Sequence, residues 1–286
     1  MSEYQWYEFV ALDRPLSAAE MAALREISTR AEITTTRFWN EYQWGDLKAD
    51  PAALLARYFD LHLYFANWGT RRLMFRLPRK AVDVAVLEAY LPGDTATLTT
   101  KREHVIIDLH SETDEPEDDW FEAGHLAASL APLRADLLAG DHRAAYLAWL
   151  AEVQTGELDD GTIEPPLPPG LQTLSAPPAA LASFLRLDPD LLTAAAEASP
   201  NQTSAADDGL RAWVQGLSPA AQRRWLLRVV EDPERRLGRE LRAEYQRNHP
   251  SVAATPQRTI EYLLARAEEI RARRERQAVD TGGRHR

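Results

Sequence analysis

The stretch His104-Val-Ile-Ile-Asp108-Leu-His110-Ser-Glu112 holds the residues best placed to do chemistry. Read as a strand, it puts His104, Ile106, Asp108, His110 and Glu112 on one face and Val105, Ile107 and Leu109 on the other. Imidazoles beside carboxylates suit Zn, Fe or Mn. At a rise of about 3.3 Å per residue, side chains two apart lie roughly 7 Å from each other and can converge on one ion. His104 and Asp108 lie about twice as far apart and cannot share an ion on a straight strand. Asp108 with His110, plus a third ligand from elsewhere, is therefore the metal pair to expect. The plainer reading is a strand with its polar face in water, or a His–Asp pair holding a loop. The spacing matches no recognised metal signature.

Other reactive residue types are scattered. His62 sits among apolar neighbours at helical spacing and reads as a histidine at the edge of the core with one hydrogen bond. His125, His142 and His249 fall near expected loops or helix ends. Trp44-Gly45-Asp46 and Asn67-Trp68-Gly69 read as tight turns with a packed Trp, or as pocket walls at strand ends. Arg71, Arg72, Arg76, Arg79 and Lys80 form a local basic cluster, for which Asp83, Glu88 or the acidic stretch 112–122 are the expected partners. That stretch, ETDEPEDDWFE, lacks the spaced oxygens and central Gly of a calcium loop and reads as solvated.

Several chemistries are excluded or poorly supported. The chain has no cysteine, so disulfides, Cys-based zinc sites and thiol nucleophiles are ruled out. It contains no P-loop, G-x-G-x-x-G, G-x-S-x-G or H-E-x-x-H. No cofactor is expected. The start, MSEYQWYEF, has no basic segment followed by an apolar run, so no signal peptide is expected. No run is long enough to span a bilayer.

Charge is uneven along the 286 residues. Residues 1–208 carry 16 Lys and Arg against 34 Asp and Glu, a net of −18. Residues 209–286 carry 17 Arg against 10 Asp and Glu, a net of +7, and the whole chain has −11. Arg223/Arg224/Arg228, Arg235/Arg236/Arg239/Arg242 and Arg271/Arg273/Arg274/Arg276 lie on helix patterns. Interleaved acids such as Glu240, Glu244, Glu268, Glu269 and Glu275 favour a salt-bridged surface over a nucleic-acid site. These arginines are expected to meet carboxylates of the protein's own acidic half, in the same copy or another.

The elements that position these residues follow from local pattern. Residues 4–12 read as a strand. Ser17 and Glu20 form the capping-box pattern of a helix. Residues 31–44 read as one long strand or two short ones. Asp50 and Pro51 start a helix that periodicity carries through Leu54, Leu55, Tyr58, Leu61, His62 and Phe65 to Asn67 and Gly69. Residues 71–77 alternate as a strand ending at Pro78. A short helix over 81–90 and a strand or strand pair over 95–111 complete the head. Of 24 aromatics, 14 fall in residues 1–75, so Tyr58, Phe59, Phe65, Trp68, Leu73 and Phe75 are expected to pack together.

The fold expected is an α+β or α/β head over 1–122, with a mixed or antiparallel sheet, helices mainly on one face, loosely ferredoxin-like. A helical pair over 123–155 follows, then a Pro- and acid-rich linker over 156–178. An all-α domain over 179–286 ends the chain. Its helices are introduced by Asp188-Pro189, Ser218-Pro219, Asp232-Pro233 and Thr255-Pro256. Its apolar faces include Leu181/Phe184/Leu185, Trp225/Leu226/Val229 and Ile260/Leu263/Leu264/Ala267/Ile270.

The blocks YEFVALDRPLS, RYFDLHLYFANWGTRRLMFRLP, SLAPLRADLLAGDHRAAYLAWLAEVQTGELDD and LASFLRLDPDLLTAAAEAS resemble a family of uncharacterised bacterial proteins. The resemblance reaches to about residue 200. It implies a bacterial cytoplasmic protein and carries no activity, cofactor or site.

The function expected is that of a non-enzymatic cytoplasmic protein-interaction or scaffold protein, whose partner is another protein or a second copy, with no membrane. The alternative is a metal-assisted hydrolase using Asp108 and His110. The second alternative is a nucleic-acid-associated regulator using the Arg-rich C-terminal helices.

Overall fold

The computed structural model describes residues 4–114, 123–200, 205–231, 237–248 and 258–282. The acidic stretch from residue 115, Arg235, Arg236, His249 and the pairs Asp232-Pro233 and Thr255-Pro256 lie outside the described residues.

The head is an α+β unit built on one sheet. Its strands are β1 (Gln5–Val10), β2 (Glu32–Ile33), β3 (Arg37–Tyr42), β4 (Leu61–Ala66), β5 (Arg71–Pro78), β6 (Ala96–Thr100) and β7 (His104–Ser111). They lie in the order β2-β3-β1-β4-β5-β7-β6. Every ladder is antiparallel, so the sheet is not mixed. Three local hairpins, β2–β3, β4–β5 and β6–β7, set that pattern, because a parallel pair needs a crossover of a dozen or more residues. The central strand β1 runs antiparallel to both neighbours.

Helices cover both faces, rather than mainly one. On one side sit α1 (Ala18–Ile27), with its Ser17/Glu20 capping box, and α2 (Pro51–Tyr58), capped by Asp50. They bury Leu24, Leu54, Leu55 and Tyr58 with Phe9, Phe38, Phe59 and Met74. On the other side lie α4 (Ala123–Leu138), α5 (Arg143–Thr155), α6 (Ala176–Phe184), α7 (Pro189–Ala196) and the first turns of α11 (Ile260–Gly282), over Trp6, Leu63, Phe65, Leu73, Phe75 and Ile107. The short α3 (Val84–Glu88) contributes Leu87 to this side. Helices α4 to α7 and the start of α11 thus share a core with the sheet.

The helix expected from Asp50 to Phe65 stops at Tyr58, and Leu61–Ala66 is strand β4. Both faces of β4 are covered, so its residues show no alternation, and a short apolar run reads equally well at helical period. Gly69, at φ 105, turns β4 into β5, where a Cβ would meet the Thr113 carbonyl. The expected aromatic cluster therefore splits. Tyr58 and Phe59 join one core, Phe65, Leu73 and Phe75 the other, and Trp68 is exposed.

The proline-rich stretch 156–178 makes ordered contacts. Glu164 is buried, the Tyr90 hydroxyl donates to the Pro166 carbonyl at 2.6 Å, and Ile163 bridges to Thr259. Among the described residues, no strand is present beyond β7 apart from that bridge.

Beyond α7 come α8 (Ala205–Gly216), α9 (Pro219–Glu231) and α10 (Leu237–Asn248). Among the described residues, neither core contains a residue of these three helices.

Candidate functional site

Strand β7 places Asp108 and His110 on one face, two residues apart. His110 Nε2 lies 3.0 Å from Asp108 Oδ1. The register of β5 sets Arg72 opposite His110. Arg72 Nε donates to Asp108 Oδ1 at 2.9 Å and Nη2 to Oδ2 at 2.6 Å. Burial raises the carboxyl's pKa, but the hydrogen bonds from Arg72 and His110 outweigh it and hold the group down at about 2. Asp108 is an anion at neutral pH, with both oxygens hydrogen-bonded.

The same register extends the site across the sheet. Asn40, Tyr7, Tyr64, Arg72 and His110 form one row over five strands. The Tyr7 hydroxyl donates to Asp46 at 2.5 Å, and the Tyr64 hydroxyl donates to Gln5 Oε1 at 2.9 Å. Gln5 Nε2 donates onward to the Gly45 carbonyl. Burial, with Asp46 nearby, lifts Tyr64 to about 12 and Tyr7 higher still. Both remain phenols at neutral pH, fit for hydrogen bonding and not for nucleophilic attack. Trp44, expected to pack in its turn, is 80% exposed.

His62 lies in the next row, with Phe9 and Met74 as cross-strand neighbours. It is on a strand, not a helix, and wholly buried. Its Nδ1 lies 3.0 Å from the Glu8 carbonyl, so Nδ1 carries the proton and Nε2 is left with a lone pair and no partner. Burial drives its pKa down to about 3. His104, at the far end of β7, is not brought to Asp108.

A metal ion at Asp108 would have to displace a guanidinium from both carboxylate oxygens. Among the described residues, no group of three or more His, Asp or Glu is placed to hold a metal ion.

Three arginines of the basic cluster, Arg71, Arg72 and Arg76, are engaged within the described residues. Arg71 donates to the carbonyls of Ser183 and Phe184 at the end of α6. Arg76 Nη2 meets Asp60 at 2.6 Å, and Arg134 of α4 joins Asp60 and Asp13 around the same sheet end. On α11, Arg266 pairs with Glu197, and Arg271 and Arg274 reach Asp188 and Asp190 at the start of α7.

Helix α9 differs from every element above. Trp225 is buried and lies under the Arg228 guanidinium, 4.6 Å from its ring centroid. Leu226 and Val229, expected on the same buried face, are exposed, as are Leu227 and Val230. At 100° per residue, Leu226, Val230, Arg223, Leu227, Ala220 and Arg224 follow one another around a single outer arc. Arg223 and Arg224 have no ion pair among the described residues. With Arg228, Ala220 and Leu227 they line a shallow hollow of about 290 Å³. The signal was present in the sequence: two adjacent apolar pairs, Leu226-Leu227 and Val229-Val230, give apolar residues more than one buried face can take.

The fold and these surfaces define an antiparallel α+β protein with a helical C-terminal part and an apolar, arginine-flanked helix. No protein-family model matches the chain, and no curated protein or solved structure matches it either. Among the described residues, no helix is long and apolar enough to cross a membrane.

Proposed function

We propose that this is a non-enzymatic protein-interaction protein of the cytoplasm, in which the sheet and its helices form a scaffold and α9 is the docking helix. The observation that carries this reading is the outer arc of α9, where Leu226, Leu227 and Val230 stand in solvent beside Arg223 and Arg224. Burying such side chains stabilises an interface by about 1.5–3 kcal/mol each at full burial. The occupant is an amphipathic helix of another protein, with an apolar stripe flanked by Asp or Glu. Charge selects it: α9 carries three arginines and the single acid Glu231. Two copies of α9 packed together would set arginine against arginine, whereas an acidic helix pairs with each guanidinium bidentately.

The test uses a designed helical peptide with a Leu stripe flanked by Glu, and its twin flanked by Lys, titrated by fluorescence anisotropy. The expected result is binding of the Glu peptide by the full chain. The Lys peptide should bind at least about tenfold more weakly, and L226D/L227D/V230D should lose the Glu peptide by a similar factor. Equal binding of both peptides, no binding of either, or undiminished binding by the triple variant overturns the reading.

A further inference from the structure

The sheet has one free edge that is long enough to pair. β6 is the last strand in the order, and among the described residues its only strand neighbour is β7. The hydrogen bonds at both ends of that ladder fix which groups it uses. His110 N donates to the Thr95 carbonyl at 2.7 Å, and Lys101 N donates to the His104 carbonyl at 2.8 Å. Antiparallel ladders alternate, so Thr97, Thr99, the Thr95 carbonyl and the Lys101 N–H are spent on β7, while the Thr95 N–H donates to Glu152 at 3.0 Å. Ala96, Leu98 and Thr100 therefore turn theirs outward. The Ala96 N–H is taken by Glu152 at 3.0 Å. The Leu98 and Thr100 N–H groups and all three carbonyls remain, with no helix or loop hydrogen-bonded to them among the described residues. Thr99 and Thr100 are exposed.

Most edges of this kind are blunted by a charge, a proline or a bulge within the strand. β6 reads Ala-Thr-Leu-Thr-Thr and has none of these. The opposite edge, β2, is only two residues long.

We propose that β6 is a dimerisation strand, pairing antiparallel with β6 of a second copy so that the two sheets become one. The strand is self-complementary about Leu98. Leu98 of each copy exchanges two backbone hydrogen bonds with Leu98 of the other, and the Thr100 N–H meets the Ala96 carbonyl of the partner copy. Thr97 lies opposite Thr99, a pairing that suits strand neighbours. Charge fixes the direction. Asp94, exposed, precedes the strand, and Lys101, Arg102 and Glu103, all exposed, follow it with a net charge of +1, Arg102 lying 3.7 Å from Glu103. An antiparallel copy sets each acidic start beside a basic end, twice over. A parallel copy would set like against like. Five residues of backbone pairing make a small interface, so the dimer is concentration-dependent.

The test is sedimentation of the full chain over a hundredfold range of concentration. The wild type is expected to shift from monomer to dimer. Thr100→Pro removes an outward N–H that β7 does not use, so the monomer's ladder is untouched. It should weaken dimerisation at least about tenfold while leaving the circular dichroism spectrum and Tm in place. Asp94→Arg and Arg102→Asp should each weaken it, and the double reversal should restore it. A monomer at every concentration overturns the proposal. So does a dimer that neither Thr100→Pro nor the charge reversals move. Peptide binding by α9 is measured independently on the Thr100→Pro monomer, so the two readings stand or fall separately.

Discussion

Arg258 and Glu164, 94 residues apart in the chain, close on each other through two hydrogen bonds, Nε to Oε2 and Nη2 to Oε1, each 2.7 Å. The same guanidinium donates to the carbonyls of Ala194 and Ala195. Those lie at the end of α7, where carbonyls lack partners within the helix and a cation is favoured. The Tyr146 hydroxyl donates to Glu164 from α5. One buried pair thus ties α5, the proline-rich stretch, α7 and the lead-in to α11 into a single packed unit.

Arg258→Met should therefore cost about 3–5 kcal/mol in chemical denaturation, because it strands a buried carboxylate. Replacing both partners, as in Glu164→Leu with Arg258→Met, should cost less than Arg258→Met alone. A single-variant loss under about 1 kcal/mol would show that the pair does not hold the unit together.

His62 predicts an acid-sensitive core. Unfolded, its imidazole takes up a proton as pH falls below its ordinary value of 6.5; folded, burial delays this to about 3. The unfolded chain therefore binds more protons between those values, and stability is lost as pH falls from 6.5 towards 3. His62 stacks on Phe9 with ring centroids 4.1 Å apart, so Phe can occupy the site. His62→Phe should flatten the fall of Tm between pH 6.5 and 4. An unchanged slope would place the acid lability elsewhere.

What could be read from sequence was what local chemistry decides. The Ser17/Glu20 box, the Asp50-Pro51 start and the adjacency of Asp108 and His110 depend on residues within four positions of each other. What failed depends on distant partners. Leu61 to Ala66 forms a strand because β1 and β5 flank it, which no local period reveals. Arg72 reaches Asp108 only through the β5–β7 register, set by hairpin geometry and the burial of alternate residues. Trp225 and Leu226 both fit the apolar pattern, and only packing decides which one faces solvent.

Asp108 carries the next prediction. Its carboxyl is held at about 2 against an ordinary 3.8, so its contribution is present above pH 3.8 and is lost as pH falls through 2. Asp108→Asn should destabilise by about 2 kcal/mol at neutral pH, with the difference from wild type shrinking below pH 4. The purified protein should retain no stoichiometric Zn, Fe or Mn by elemental analysis. Stoichiometric metal that disappears in Asp108→Ala/His110→Ala would make the hydrolase reading the leading one.

The last prediction concerns the basic helices. Nucleic-acid affinity arises from cations free to neutralise phosphates, and each contact adds to the salt dependence. On α11, Arg266, Arg271 and Arg274 are already paired with Glu197, Asp188 and Asp190. In the head, Arg72 and Arg76 hold Asp108 and Asp60. A phosphate would have to replace a carboxylate at each of these positions, and the body around them is strongly acidic. Arg223 and Arg224 stand apart from these pairs, but they flank leucines and valine, which favours a helix over a sugar-phosphate backbone. Gel-shift titration with mixed single- and double-stranded DNA and RNA near 150 mM salt should therefore show no binding tighter than about 10 µM. Submicromolar binding that weakens steeply with salt, and that disappears when the chain is truncated after Ile270, would reverse this assignment. Arg271 and Arg274 would then have to leave Asp188 and Asp190 for phosphate, and Asp188→Asn with Asp190→Asn should tighten that binding by freeing them.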